Sequence, residues 1–453
     1  MSDLLSLLSL GSAGIAAHNA GVSIATNNVA NVNTRGYSRQ RVDLESLLGA
    51  PLVGGVRSGD PQRMADNLLA ARIHTAAGSL AMSEAFADAL SDLEDRLASG
   101  TTVDQQLAGV FGKLSAASAA PTDSISRDAV VAAVRDLVSG IHRRAGELAA
   151  ARAEVNQRIG DSVEEASSVA KRLAETNLAI ARGGDPVMAD ERDRLATRLA
   201  ELTGGKPRID GDGQMRFVLD GGAVLVDGGR AATLAAAPDP TTGDLAVSVV
   251  DGAVKRDVTT AIGGGTLGAQ LRFRDGSLAS ARGDLDQLAS DVATQFNTVH
   301  AANAGKDGVT GRPMFVAPTQ VAGAAAALAI DPALDADSSK LALAAPGSGP
   351  GDNRGALALV GLATQPVATG GKTLGTAALD IIGHLASATS DAKASVTRDG
   401  LVSEHLAGLR DSLAGVDTQE ELTNLARFEH ASTALTKFVS TIDGMLGSLI
   451  DQL

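Results

Sequence analysis

The chain has 453 residues, a formal net charge of −14, a single Tyr, and neither Cys nor Trp. Lacking Cys, it cannot carry a disulfide framework, a thiolate zinc site, an iron–sulfur cluster or a thiol nucleophile. Its acidity argues against nucleic acid, whose phosphates demand a cationic footprint.

Hydrophobic residues still reach 44% with only 2% aromatics. That composition predicts Ala- and Leu-rich helices in roughly two to four domains, around a core without large anchors. No apolar run approaches the ~20 residues of a membrane span. The first basic residue is Arg35, so the Leu4–Leu10 run lacks the positive flank of a cleaved signal peptide.

In chain order, Leu4, Leu8, Gly11, Ile15, His18, Val22, Ala25, Val29 and Val32 alternate by four and three, the seam of a coiled-coil helix. Gly11 and His18 are its weak positions, and Gly36 is a candidate C′ residue beyond its Asn-rich end. Ala/Leu-rich helical stretches cover 61–120 and close at Pro121. Ile141, Ala145, Leu148, Arg152, Val155, Ile159 and their continuation to Ile180 keep the alternation. They predict one helix of ~40 residues, ~60 Å long, stopped at Gly183-Gly184-Asp185-Pro186. A shorter helix follows from Met188 to Leu202.

Over 206–260 the period changes. Apolar runs such as Phe217–Leu219 and Val247–Val250 alternate with Asp-Gly clusters at 210–213, 220–222, 227–229 and 251–252. Asp-Gly between apolar runs is a strong hairpin signal, so an antiparallel β domain is expected here. Leu278 to His300 returns as helix, 303–352 reads as loop and short strand, and helix resumes from about Asn353. The end carries a second seam of Leu425, Phe428, Ser432, Leu435, Val439, Ile442, Leu446, Leu449 and Leu453.

The expected fold is mainly α with an inserted β domain (α+β), an elongated rod of long helices with terminal coiled-coil segments and an antiparallel β knob. The partition is an N-terminal axial segment 1–45, helical shaft 46–205, β domain 206–262, returning shaft 263–305, mixed region 306–352, last shaft part 353–405 and C-terminal axial helix 406–453.

Catalytic signals are weak. The seven His (18, 74, 142, 300, 384, 405 and 430) form no His-Glu-x-x-His set, so no metal site is expected. Gly263 to Gly268 fits Gly-x-Gly-x-x-Gly, with Asp286 downstream, but it follows hairpins and leads into a lone helix instead of a βαβ unit. A junction turn is the better reading. Residues 366–373 imitate a P-loop with Pro366 in place of its first Gly, and Asp210–Gln214 starts like a calcium loop that then offers Met215 and Gly221 at its key positions. The charged run Arg182, Asp185, Asp190, Glu191, Arg192, Asp193 and Arg194 reads as a solvated helix face. No catalytic, cofactor-binding or metal-binding residue is nominated, and nothing points to an enzyme.

One stretch is distinctive: Thr26-Asn27-Asn28-Val29-Ala30-Asn31-Val32-Asn33-Thr34-Arg35-Gly36-Tyr37-Ser38-Arg39-Gln40. It resembles the N-terminal signature of the bacterial flagellar rod, hook and hook-associated proteins, with Arg35 where the family usually has Pro. The Gly36-Tyr37-Ser38-Arg39-Gln40 ending is most similar to the hook–filament junction branch. Met188–Leu202, Gly264–Asp275, Leu285–His300, Gly351–Leu359 and Gly415–Phe428 resemble further family segments in the right order, although His430, Ser432 and Thr433 replace the usual Gln and Tyr. The resemblance implies a structural axial component of the flagellum at the hook–filament junction, extracellular and exported by the type III apparatus without cleavage. Implied partners are copies of itself in a ring, the hook protein, the second junction protein and an export chaperone, with no membrane insertion. Alternatives are a hook or distal rod subunit, a dinucleotide-binding enzyme resting on 263–268 alone, or a soluble coiled-coil rod, which gives no reason for the signature.

The seam residues Leu4, Leu8, Ile15, Val22, Val29 and Val32, with Leu425, Phe428, Leu435, Val439, Ile442, Leu446, Leu449 and Leu453, are the expected assembly interface. Their burial alone cannot offset the entropy of ordering roughly 60 residues. Both ends are therefore expected to stay largely disordered until neighbouring subunits cover them.

Overall fold

The computed structural model of the chain describes residues 2–34, 36–47, 55–183, 186–210 and 213–451. Arg35, Leu453 and parts of the expected turns at 183–186 and 210–213 lie outside the described residues. Helix α1 (Ser2–Ala30) opens the chain. Strands β1 (Gln40–Arg41), β2 (Leu44–Leu47), β3 (Gly55–Ser58) and β4 (Gln62–Arg63) follow, β2 pairing with β3 and β1 with β4, both antiparallel. Residues 46–47 and 55–63 are thus not part of a helical shaft. That begins at α2 (Asn67–Ala98), where the Asp66 carboxylate accepts from the amides of Leu68 and Leu69 at 2.7 and 3.1 Å, a helix cap.

Helices α3 (Val103–Ala119), α4 (Ser124–Ala181) and α5 (Pro186–Thr203) build the shaft. With 58 residues, α4 is about 87 Å long at 1.5 Å per residue. Its buried stripe runs backward from Ile141 through Leu137, Val134 and Val130, so the helix starts 17 residues earlier than the sequence suggests. Asp123 caps that start by accepting from the Ser126 amide at 2.9 Å. Arg127, almost fully buried, donates to the carbonyls of Pro121 (2.6 Å) and Leu341 (2.7 Å), tying the start of α4 to residues 338–341.

The β domain holds two antiparallel sheets. Strands β5 (Lys206–Ile209), β6 (Met215–Val218), β7 (Val224–Asp227) and β8 (Arg230–Ala231) form one in sequential order. Strands β9 (Thr233–Pro238), β10 (Leu245–Asp251) and β11 (Val254–Asp257) form the other, with β10 central. The Asp-Gly turns join β7 to β8 and β10 to β11, with Gly228 and Gly252 at φ of 55° and 59°, a left-handed conformation that disfavours other residues.

Polar ties lay both sheets against α4. Asn177 donates to the carbonyls of Met215 (2.8 Å) and Gly228 (2.9 Å), the Ser167 hydroxyl bonds the Leu234 backbone, and Arg152 pairs with Asp244.

Helix α6 (Gly265–Arg272), a π-helical turn over Phe273–Leu278 and α7 (Ala279–Ala301) carry the chain back. Strand β12 (Phe315–Val316), short helix α8 (Ala324–Ala327), strand β13 (Ala329–Ile330), which pairs with β12, and short helix α9 (Pro332–Ala336) fill the mixed region. Helices α10 (Arg354–Gly361), α11 (Leu374–Ala414) and α12 (Thr418–Ile450) complete the chain. Early and late pieces pair in layers, α2 on α11 and α1 on α12. The aromatics are few but gathered. Phe296 stacks on Phe111 (centroids 5.6 Å apart) and meets Phe315 edge-on at 5.8 Å, giving this part of the core the large anchor that composition seemed to deny.

His300 is fully buried at the end of α7. Its Nδ1 donates to the Arg312 carbonyl (2.7 Å) and its Nε2 accepts from the Ala342 amide (2.9 Å), an arrangement that requires the neutral ring. Burial holds its pKa below the usual histidine value, as it does for His74. A group so depressed contributes stability that is present above ~pH 6.5 and is lost as pH falls toward the folded-state value, at up to ~1.4 kcal/mol per pH unit for each ring. Urea unfolding of the shaft is expected to show this acid-side slope, and His300→Gln is expected to flatten it. A slope unchanged in that variant would mean the ring does not titrate between the two states.

Candidate functional site

The terminal helices meet as an antiparallel pair. Phe428 sits over Gly21 and Leu435 over Gly14, so close that a Cβ on either glycine would stand 2.8 or 2.9 Å from the facing side chain, and Val439 fills the space beside Gly11 in the same way. Gly11 is therefore a hole, not a weak point in the seam. Ser432 donates to Asn19 Oδ1 at 2.8 Å, and His18 lies beside Phe428 with ring centroids 6.1 Å apart.

The buried face of α1 is Gly11, Gly14, Ala17, Gly21, Ala25 and Asn28, and Gly11, Gly14, Gly21 and Asn28 on it meet α12. The expected seam residues Leu4, Leu8, Ile15, Val22 and Val29 lie beside that face, half-buried, as are Leu425, Phe428, Leu435, Val439 and Leu446 on α12, and Ile442 is buried. Val32 and Leu449 are exposed, and Leu453 is outside the described residues. The ends are thus not left open as the sequence suggests, because α1 and α12 pair within one chain. Burial is one-sided all the same. Apolar side chains stay exposed on several sides of α12, Leu422, Met445, Leu449 and Ile450, with Phe438 partly exposed at the edge of the pair and Leu5 exposed on α1.

Beyond α1 the chain turns through residues 31–34 and Gly36, whose φ of 91° redirects the backbone after the helix has ended and so is not its C′ residue. Tyr37, Ser38, Arg39 and Gln40 then form a strap that touches every neighbouring element. Asn28, fully buried on α1, uses all of its hydrogen-bonding capacity. Its amide donates to the Gln40 carbonyl (2.9 Å) and Glu421 Oε2 (3.1 Å), and its Oδ1 accepts from the Tyr37 hydroxyl (2.8 Å) and the Gln40 amide (2.9 Å).

Arg39 donates from Nε to Glu421 Oε1 at 2.7 Å and from Nη2 to Glu420 Oε1 at 2.6 Å. These bonds, that to Glu420 foremost, raise the Arg39 pKa against the opposing effect of burial. The Arg39 amide donates to the Ala414 carbonyl at the end of α11 (2.9 Å), and Arg410 donates to the Tyr37 carbonyl (3.1 Å). On the N-terminal side Asn31 reaches Asn27 Oδ1 at 2.7 Å, while Asn33 is exposed.

Ser38 extends the strap to the shaft, its amide donating to Asp190 Oδ2 at 3.1 Å. Asp190 pairs with Arg63 (2.7 Å), which also pairs with Asp193 (2.5 Å), and buried Arg192 donates to the Gly213 carbonyl at 3.1 Å. The acidic run on α5 is therefore not wholly a solvated face. Asp190 is buried because Arg63 and the strap meet it, partners that lie far away along the chain and cannot be read from local spacing, and Arg192 is buried against the start of β6.

The nucleotide-like motifs have structural duties. At Gly264 and Gly265 the backbone crosses that of Gly204 too closely for side chains on either strand of the crossing, which joins the end of α5 to the start of α6. Lys372 is paired with Asp380 at 2.6 Å, beside a tight turn through Gly370 and Gly371.

A family model described as the flagellar hook-associated protein FlgK helical domain matches residues 90–315. Flagellar hook-associated protein 1 of Escherichia coli strain K12 is 26% identical, covering 98% of this chain and 99% of its own length. The Bacillus subtilis strain 168 protein of the same name is 26% identical with 96% of each chain covered, and that of Salmonella typhimurium is 28% identical over 68% of this chain and 59% of its own. A solved structure of the flagellar hook junction protein FlgK from Burkholderia pseudomallei superposes with a TM-score of 0.69 at 16% identity, covering 77% of this chain and 100% of that one. At that identity the superposition speaks for the fold alone.

The glycine holes give a direct test. Overpacking a close contact costs ~1–3 kcal/mol, so Gly21→Val is expected to reduce pairing of the terminal helices at least about fivefold. The yield of a disulfide between Asn19→Cys and Ser432→Cys in this Cys-free chain measures it. An undiminished yield would mean Phe428 does not seat over Gly21.

Proposed function

We propose that this chain, which belongs to the flagellar hook-associated protein 1 family, works at the junction between hook and filament of the bacterial flagellum as a structural protein whose terminal helices form the axial, subunit-to-subunit end. The number of apolar side chains left exposed around the last helix, Leu422, Phe438, Met445, Leu449 and Ile450, carries this reading. A helix exposing so much apolar surface to water gains by packing against further copies, and a ring of subunits provides them. The seam residues from Leu4 to Val29 and from Leu425 to Leu446 line the pair, while exposed Val32 and Leu449, the end of the seam at Leu453 and the other exposed apolar side chains of α12 join pairs. Copies of the chain in a ring, the hook protein on one side and the second junction protein on the other are the partners. A cytoplasmic chaperone keeps the apolar ends from associating before type III export, which proceeds without a cleaved signal and delivers the chain outside the cell. No chemistry is asked of it. The Gly-rich and Lys-Thr segments that imitate nucleotide sites serve a backbone crossing and a turn, which supports a non-enzymatic role.

A strain lacking the gene is expected to display bare hooks and shed flagellin into the medium. Filaments retained on its hooks would overturn the assignment to the junction.

The assembly surface is tested by Leu435→Asp, which buries a charge in the seam. The variant should leave the thermal unfolding of the shaft unchanged yet fail to restore filaments to that strain. In the free chain, amide exchange over 4–32 and 425–451 should be at least about tenfold faster than in assembled junctions, since local opening follows the number of buried contacts. Equal protection in the two states would place the seam outside the assembly surface.

A further inference from the structure

The apolar seam does not fix its own register. Gly14 and Gly21 lie seven residues apart, and so do the residues that fill them, Leu435 and Phe428. Sliding α12 by one heptad would set Phe428 over Gly14, or Leu435 over Gly21, so either slip still seats a large apolar side chain in a glycine hole. What such a slip would break is polar. Asn28 lies seven residues beyond Gly21, Glu421 lies seven residues before Phe428, and the two side chains meet at 3.1 Å in the next layer of the same pattern. Glu421 is buried, its side chain 4% exposed, and its other partner is Arg39 of the strap.

We propose that Asn28, Glu421 and Arg39 form the lock that sets the heptad register of the terminal helix pair. In the native register the Glu421 carboxylate receives hydrogen bonds from both Asn28 and Arg39. One heptad away it has neither, and Asn28 loses the acceptor that completes its four bonds. A buried charge stripped of its partners is strongly disfavoured, and a polar layer within an otherwise apolar seam is the best-attested means of specifying register in coiled coils. The strap lends Arg39 this role because it is pinned elsewhere, by the Ala414 carbonyl and by Asp190. The lock is thus referenced to the shaft as well as to α1. The inference concerns the single chain and stands whether or not the chain assembles at the hook–filament junction.

The absence of Cys makes register readable by disulfide trapping in the full chain. Ser432→Cys is combined in turn with Asn19→Cys, which reports the native register, and with Ser12→Cys or Thr26→Cys, which report slips of one heptad either way. Dilute, limited oxidation traps whichever pairs form, and the intramolecular products are separated by gel mobility. With the lock intact, the native pair should form at least about tenfold more than either slipped pair. Asn28→Leu combined with Glu421→Leu keeps the seam apolar and is expected to bring the slipped pairs to within about twofold of the native one. Arg39→Gln alone should shift the ratio in the same direction, and adding Glu421→Gln to it should recover part of the shift, since the carboxylate is then no longer stranded. A native preference that survives the double Leu substitution would overturn the proposal. So would near-equal trapping with the lock intact, or loss of all trapping in the double Leu variant, which would make the polar layer a source of pairing and not of register.

Discussion

A carboxylate kept out of water near the start of the last helix governs the paired terminal helices of this molecule. Glu421 is tolerable there because Arg39 and Asn28 both donate to it, and each of those is fixed by further bonds. Asn28 is saturated by Tyr37 and Gln40, while Arg39 is held by the end of α11 and shares its guanidinium with Glu420. Removing a partner from such a site costs far more than the pair contributes when intact. The sequence segment that marks the family is thus also the segment through which helix, strap and shaft constrain one another.

Packing and polarity divide the work between them. The glycines of α1 let the large residues of α12 approach its backbone, so the pair is held by close contact despite the scarcity of aromatic residues. Apolar contacts of this kind tolerate sliding, whereas the polar layer does not. The shaft uses the same economy. Long α4 supplies a continuous stripe of Val, Leu and Ile, and a few buried polar groups, Arg127, Asn177 and His300 among them, fasten irregular segments to helices at defined points.

Periodicity made the long elements legible. The two terminal helices, the α4 stripe from Ile141 onward and the Asp-Gly hairpins of the β domain all follow from spacing, because each is decided by neighbours within a few residues. The first part of α4 is harder to read, because Val130, Val134 and Leu137 continue the stripe among Ala and charged residues. Gly11 looks like a defect in sequence, since a hole is visible only when the facing knob is known. The small strands between Gln40 and Arg63 carry little apolar alternation and are set by pairing with each other. Asp190 and Arg192 looked like solvent-facing charges for the same reason. Their partners come from distant parts of the chain, and burial of a charge is a property of the fold and not of its local sequence.

The β domain bears on how this architecture can change. Its sheets hang on the side of α4 through Asn177, Ser167 and Arg152, and its connecting turns lie far from both terminal helices along the chain. Lengthening a surface loop is entropically cheap, so material can be added along this flank without moving a residue of the strap. The alignment with the Escherichia coli relative extends over 545 residues against the 453 present here. Length can therefore be gained or lost on this flank by descent without disturbing the strap or the terminal pair that it locks.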